Sequence, residues 1–180
     1  MLDWARSKFG PLTGELNTDE DIPIFLPWIN GERSLEWNPD LRPKWFGRTD
    51  KHSPAQLSRA VAEGVLFNIA QYVQTIERES GSTAEEIVLS GNGFREPLLA
   101  PMLATLLGRE LILPDGAGLG TLRGTAVCAW QALGHDPMPA VERIIKKGQR
   151  VKRTPVRAVL ERFERFKELR GMEGRSHRIQ

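Results

Sequence analysis

The chain is poor in the residues that would point to several common chemistries. It has a single cysteine, Cys128, among 180 residues, which excludes a disulfide framework and fits a reducing compartment, the cytoplasm. Cys128 lies in an apolar helical stretch and reads as a buried small hydrophobe rather than a nucleophile. No metal-ligating residue is assigned in this chain. No apolar run approaches the ~20 residues of a membrane-spanning helix, and the first residues, interrupted by Trp4, Arg6 and Lys8, do not have a signal-peptide layout. Aromatic residues are sparse in the basic C-terminal segment, which argues against base stacking and hence against a nucleic-acid partner.

What is present is ordinary for a soluble globular protein: 40% hydrophobic and 27% charged residues. The length suits one domain with an appendage. The net charge of +2 hides an asymmetry. Residues 1–141 carry 12 Lys and Arg against 18 Asp and Glu, a balance of −6, whereas residues 142–180 carry 13 against 5, a balance of +8. A solvated helical face accounts for such a basic end.

Two segments carry the strongest signal. Residues 87–93, Ile-Val-Leu-Ser-Gly-Asn-Gly, are a short apolar run that ends in glycines and leads into a helix. Residues 115–121, Asp-Gly-Ala-Gly-Leu-Gly-Thr, repeat that character and open a second helix toward Leu133. Glycine turns at helix starts let backbone N–H groups approach a flat or phosphorylated ligand. Two of them in one small α/β unit suggest a nucleotide pocket between them.

Elsewhere, periodicity and turn chemistry predict a helix over 2–9, a polar loop over 10–22 and strands at 24–28 and 44–47. Ser53-Pro54 starts a long helix that runs to about Glu79, with Leu57, Val61, Ile69, Tyr72 and Ile76 on its apolar stripe. Glu63 and Gly64 in its middle call for a close packing neighbour or a ligand. A strand over 86–90, a helix over 97–107, a strand over 110–113 and a helix over 118–133 alternate, which implies parallel strand pairing. Residues 135–154 read as a connector, 155–170 as an amphipathic helix and 171–180 as a disordered tail.

Several segments in this order resemble the C-terminal lobe of FGGY-family carbohydrate kinases. Residues 25–33, FLPWINGER, resemble the family's FLPYLxGER; Trp37 to Arg42 resembles W(D/N)PxAR; Phe46-Gly47-Arg48-Thr49 with His52 resembles FxGLTxxH. Residues 59–65, RAVAEGV, are similar to RAVLEGV, and residues 90–93, SGNG, stand where the family has TGGG or SGG. Gly116 to Gly120 resembles the family's EAxALGAA helix start.

The resemblance implies an α/β fold, a ribonuclease H-like lobe of the actin-like ATPase superfamily with a mixed sheet flanked by helices and a C-terminal helix. It implies an inter-lobe helix end and loop over 1–21, the nucleotide-binding lobe over 22–140, a basic connector and C-terminal helix over 141–170, and the tail over 171–180. It implies ATP and Mg²⁺ as cofactors, with Gly91, Asn92, Gly93, Gly118 and Gly120 as the nucleotide-binding residues. The implied substrate is a sugar or sugar acid, xylulose- or gluconate-like, met through an N-terminal lobe. A homo-oligomer or a partner lobe would be the company of this one.

The sequence also departs from the pattern. Asn92 replaces the family's middle glycine, and residues 96–101 lack the tryptophan and glutamine of S-x-x-W-x-Q. Asparagine tolerates a left-handed backbone, so the turn can survive. Arg123 stands where small apolar residues are common. The phosphate-binding DxGT hairpin and the catalytic aspartate belong to the N-terminal lobe, so no catalytic residue is assigned here; the isolated chain is expected not to turn over. Asp115 reads as a helix cap or a solvated side chain, and His52 as part of a helix-start turn. Glu32 and Arg33 read as a structural pair or as substrate contacts; Trp28, Trp37 and Trp45 read as packing residues or as a stacking platform for a sugar. The competing reading is a non-catalytic, degenerate lobe that serves as an interaction module.

Overall fold

The structure is a computed structural model, and it describes residues 1–12, 21–33, 35 and 37–176. Residues 13–20 of the polar loop and residues 177–180 of the tail lie outside the described residues. In chain order the elements are α1 (Leu2–Phe9), β1 (Ile24–Leu26), β2 (Lys44–Phe46), α2 (Pro54–Ser80), α3 (Leu99–Leu107), β3 (Leu111–Leu113), α4 (Gly120–Ala132), α5 (Met138–Lys146), β4 (Gln149–Val151) and α6 (Arg157–Ser176). Short 3-10 turns cover Asn92–Arg95 and Ala117–Leu119. They form two compact units: Met1–Ser82 with Pro155–Gln180, and Thr83–Thr154. The divisions fall at 82/83 and 154/155.

The first unit is built around α2. Its start matches the sequence signal: the Ser53 hydroxyl accepts the Gln56 N–H at 3.3 Å, and the Gln56 side chain accepts the Ser53 N–H at 2.8 Å. From Leu57 to Ala70 the helix is buried almost all round, whereas Tyr72 and Ile76, placed on the same stripe by their spacing, are exposed. The antiparallel pair β1–β2 (Ile24 opposite Phe46, Leu26 opposite Lys44) lies against it, with all of β1 buried.

Gly64 is where helix and strand meet. A Cβ there would stand 2.2 Å from the Phe25 carbonyl oxygen, so only glycine lets the backbones approach. Its neighbour Glu63 is buried and bound by two arginines. Arg59 Nε donates to it at 2.8 Å; Arg162, reaching over from α6, donates through Nε and a terminal nitrogen, each at 2.7 Å. The Glu63-Gly64 pair that is odd for a helix middle is therefore a packing and charge-pairing device.

A second ion pair ties α6 to the segment after β1. Arg170 lies 3.0 Å from Glu32, and both side chains are buried. Arg170 also donates to Asn68, and Lys44 pairs with Glu173. Glu32 further accepts the backbone N–H groups of Leu35 and Trp37. Its partner is thus Arg170, not Arg33, whose Nε donates to the Asn30 carbonyl. Phe67 packs on Phe163 and Phe166 of α6 with ring centroids 5.3 and 5.4 Å apart. The helix continues to Ser176, so residues 171–176 are helical and not part of a disordered tail.

In the second unit β3 pairs with β4 in antiparallel register, Leu111 opposite Val151. The expected parallel pairing is present but short: the strand anticipated over 86–90 contracts to one bridge, Val88 with Ile112. The stretch over 135–154, read as a connector, contains α5 and β4. α3 buries Leu99, Met102, Leu103 and Leu106, while α4 buries no residue at all. Cys128, on α4, is accordingly exposed, contrary to the expectation of a buried thiol.

Gly64→Ala should cost about 1–3 kcal/mol of stability through the forced separation of α2 and β1. Glu63→Gln, which leaves two arginines facing a neutral amide, should cost about 3–5 kcal/mol. Urea unfolding monitored by circular dichroism measures both, and wild-type midpoints would contradict these assignments.

Candidate functional site

The second unit brings the two glycine-rich segments together by backbone pairing. The Leu89 N–H donates to the Ile112 carbonyl at 2.8 Å and the Ile112 N–H to Ile87 at 2.9 Å. These bonds align the ends of the two extended segments. The Gly91 N–H then donates to the Ala117 carbonyl at 2.9 Å, which joins the turns themselves.

Each glycine has its own reason. Gly91 adopts φ 118° and ψ 158°, a region open to glycine, although a Cβ there would meet nothing within 4 Å. Gly118 and Gly120 are needed for space: a Cβ at Gly118 would lie 2.5 Å from Asn92 Oδ1, and one at Gly120 only 1.7 Å from Ser90 Oγ. The room left by the missing Cβ atoms at 118 and 120 is therefore taken up by residues 90 and 92. Asn92 itself has no positive φ, so its tolerance of the left-handed region is not used; Gly91 carries the unusual backbone.

Beside the joined turns lies a crevice of about 540 Å³. Asn92, Phe94, Arg95, Leu113, Asp115, Leu119 and Gln149 are among the residues that line it, together with Gly118. Of the five residues singled out from the sequence, Asn92 and Gly118 face the crevice, and Gly91, Gly93 and Gly120 shape the turns beside it. The Arg95 guanidinium approaches Gly118 from the same side as Asn92. Phe94, Arg95 and Gln149 were not singled out. Arg95 follows directly on the glycine turn and could have been found there; Gln149 is brought in by β4, whose pairing with β3 spans a stretch with no strand signal.

Asp115 is exposed and does not cap a helix, since Gly116 occupies the position before the 3-10 turn. Arg123 reaches back to donate to the Asp115 carbonyl, fixing this corner. Next to Gln149, Arg150 bonds to both Glu86 and Glu110, and these two carboxylates raise its guanidinium above the ordinary arginine value. A larger hollow, about 680 Å³, lies between α4 and α5 beside the stacked rings of Trp130 and His135. Among the described residues, no three His, Cys, Asp or Glu side chains gather to hold a metal ion, and no helix is long and apolar enough to cross a membrane.

The other candidates belong to the first unit. His52 Nδ1 accepts the Thr49 N–H at 2.9 Å, so the ring closes the turn before α2. Trp28 is buried, and Trp45 packs on Phe25 at 4.5 Å with Arg48 over its ring. Trp37 is 74% exposed and takes a positive φ of 49°.

Comparison with known proteins gives these features a context. Residues 9–133 match the model of the FGGY family of carbohydrate kinases, C-terminal domain. The xylulose kinase of Escherichia coli K12 is 32% identical over 133 residues, covering 69% of this chain and 27% of that protein. The xylulose kinase of Klebsiella pneumoniae is 34% identical over 143 residues, covering 75% of this chain and 29% of that protein. Among solved structures, a xyloylose kinase from Brucella ovis superposes with a TM-score of 0.71 at 22% identity, over 99% of this chain and 38% of its own. The xylulose kinase of Rhodospirillum rubrum gives 0.71 at 21% identity, over 95% and 37%. These likenesses establish the fold as that of the corresponding part of the solved xylulose kinases. The chain spans less than two fifths of the length of these relatives.

If Asn92 and Gly118 are in direct contact, Gly118→Ala should destabilise the chain, and Asn92→Ala should relieve that cost. A double-mutant cycle by thermal unfolding should return a coupling of about 0.5–3 kcal/mol, and additivity of the two substitutions would disprove the contact.

Proposed function

Since the chain belongs to the FGGY family of carbohydrate kinases, we propose that its second unit is the nucleotide-binding part of an ATP-dependent kinase that phosphorylates a hydroxyl of a sugar or sugar acid. The observation that carries this reading is the joining of the turns at 91 and 117 beside a crevice of nucleotide size. Phe94 and Leu119 offer apolar surface to a base, while Arg95 and the Asn92 amide offer donors to phosphate or ribose oxygens. Gly91, Gly93, Gly118 and Gly120 keep the backbone of both turns close to that surface. ATP, when bound, supplies the phosphoryl group that is transferred.

The acceptor hydroxyl needs a base, and the migrating charge needs a divalent cation. Asp115 is the one carboxylate that lines the crevice among the described residues, and it is exposed. Among the described residues no three His, Cys, Asp or Glu side chains gather, so in this reading Asp115 beside the ATP phosphates is what the second unit would offer a Mg²⁺ ion. In this proposal the base, the sugar contacts and the remaining metal ligands come from the portion of the kinase outside the matched region. The chain alone then binds nucleotide without turnover. The similarity to xylulose kinases and a Bacillus subtilis gluconokinase favours a xylulose- or gluconate-like substrate, and a cytoplasmic location belongs to the same reading.

One observation favours a second reading. Asn92 takes space at Gly118 that a glycine in its place would leave open, as expected of a degenerate lobe kept for interaction. Isothermal titration separates the two. The kinase reading expects ADP and Mg²⁺-ATP to bind with a Kd below about 1 mM, worth about 4 kcal/mol, and Asn92→Gly to alter that affinity. Absence of heat at millimolar nucleotide for both proteins would overturn it and leave the interaction module.

A further inference from the structure

The hollow of about 680 Å³ between α4 and α5 is walled by two kinds of side chain. One kind is aromatic. Trp130, 49% exposed, holds its ring 4.3 Å from that of His135 at an interplanar angle of 27°. The His135 N–H donates to the Trp130 carbonyl at 3.3 Å, so backbone and ring contact together fix the stack. The other kind is cationic: Arg123, Arg143 and Lys147. Arg123 is anchored by its bond to the Asp115 carbonyl. No hydrogen bond or ion pair engages the side chains of Arg143 and Lys147 among the described residues.

Helix geometry sets the spacing of these groups. Arg123 and Trp130 stand seven residues apart on α4, two turns along one face, or about 10 Å. Arg143 and Lys147 follow one another by a single turn, about 6 Å, so one side of α5 turns its charge to the hollow. Two carboxylates complete the lining. Asp136 Oδ1 accepts the Met138 N–H at 3.0 Å, which fixes that carboxylate at the start of α5, and Asp115 stands beside the anchored Arg123. Three cations set against two carboxylates do not suit a bare polyanion. They suit one anionic group on a body rich in hydroxyls, since carboxylates accept O–H donors and clustered cations take a phosphate. The face of an indole receives the C–H side of such a body.

We propose that the hollow between α4 and α5 is a second ligand site, which takes a monosaccharide phosphate: the sugar ring lies on Trp130, its hydroxyls donate to Asp115 and Asp136, and its phosphate meets Arg123, Arg143 and Lys147. The separation of Trp130 from Arg123 matches a ring at one end and a phosphate on a terminal carbon at the other. Asp115 lines the crevice beside the glycine turns as well, so the two hollows share a wall. The assignment of this one does not depend on nucleotide entering the other.

The test is a titration of the 180-residue chain followed by amide and indole NMR shifts. The probes are glucose 6-phosphate, fructose 6-phosphate and ribose 5-phosphate, with glucose, inorganic phosphate, sulfate and AMP beside them. At least one sugar phosphate should shift the Trp130 indole and the amides of 130–136 and 143–147, and should saturate with a Kd below about 1 mM. Glucose, inorganic phosphate and sulfate should each bind at least about tenfold more weakly, because each meets half of the site. Arg143→Gln should weaken the sugar phosphate at least about tenfold, and Trp130→Leu should bring it to the affinity of inorganic phosphate. Should Arg143→Gln lose the circular dichroism of the parent, Lys147→Gln carries the same expectation. Four results overturn the proposal: no saturating shift from any sugar phosphate up to about 10 mM, sulfate binding as tightly as the sugar phosphates, parent affinity in Arg143→Gln, or shifts confined to 91–95. Tighter binding of AMP at 130–147 overturns it in favour of a nucleoside monophosphate. Shifts at 91–95 with ADP and none at 130–147 with sugar phosphates would leave the nucleotide proposal standing and sink this one; the reverse would do the opposite.

Discussion

The crevice depends on the near-contact of two backbone segments, 90–92 and 117–120. One hydrogen bond, from Gly91 to Ala117, fixes that approach, and the side-chain ends of Asn92 and Ser90 stand where a Cβ at Gly118 or Gly120 would be. Much of what lines the site follows from that approach: Asn92 and Arg95 are brought over Gly118, and the 3-10 turn at 117 is held where Arg123 can brace it. A conformational requirement at Gly91 and a steric one at Gly118 and Gly120 act together, so these glycines are not interchangeable. The first serves the shape of the chain, and the others serve what stands next to it.

This division of labour marks how far the sequence could be read. The two turns were legible because glycines that close an apolar run mark a tight bend or a close backbone approach, and the family pattern gave their order. The start of α2 was legible because a serine, a proline and a glutamine at fixed offsets form a local hydrogen-bonded unit. Glu63 and Gly64 are recognisable as anomalies, but the causes lie 99 and 39 positions away, at Arg162 and Phe25, and no local pattern points there. The same holds for Gln149 and β4, which become a strand only by pairing with β3. The exposure of Cys128 was hidden because an apolar helical sequence signals a face to be covered and does not say whether the cover is present.

The first unit shows how charge is managed without solvent. Glu63 receives two arginines and Glu32 receives another, with backbone N–H groups completing its shell. Buried ions gain little net stability over apolar residues of the same size, but removing one member strands the other. Such networks therefore enforce one arrangement of α2, α6 and the segment after β1. The aromatic packing of Phe67 on Phe163 and Phe166 supplies the apolar contact beside them.

The contribution of α6 to that network has a temporal side. Arg162 and Arg170, which pair with Glu63 and Glu32, follow all 72 residues of Thr83–Thr154 in sequence. On a ribosome the carboxylates emerge first and wait for their counter-ions while the intervening unit, continuous in sequence, is already fully synthesised. The discontinuous unit thus closes after the continuous one: Glu63 has Arg59 beside it from the start, but its second arginine, and the Arg170 partner of Glu32, arrive only when α6 leaves the exit tunnel.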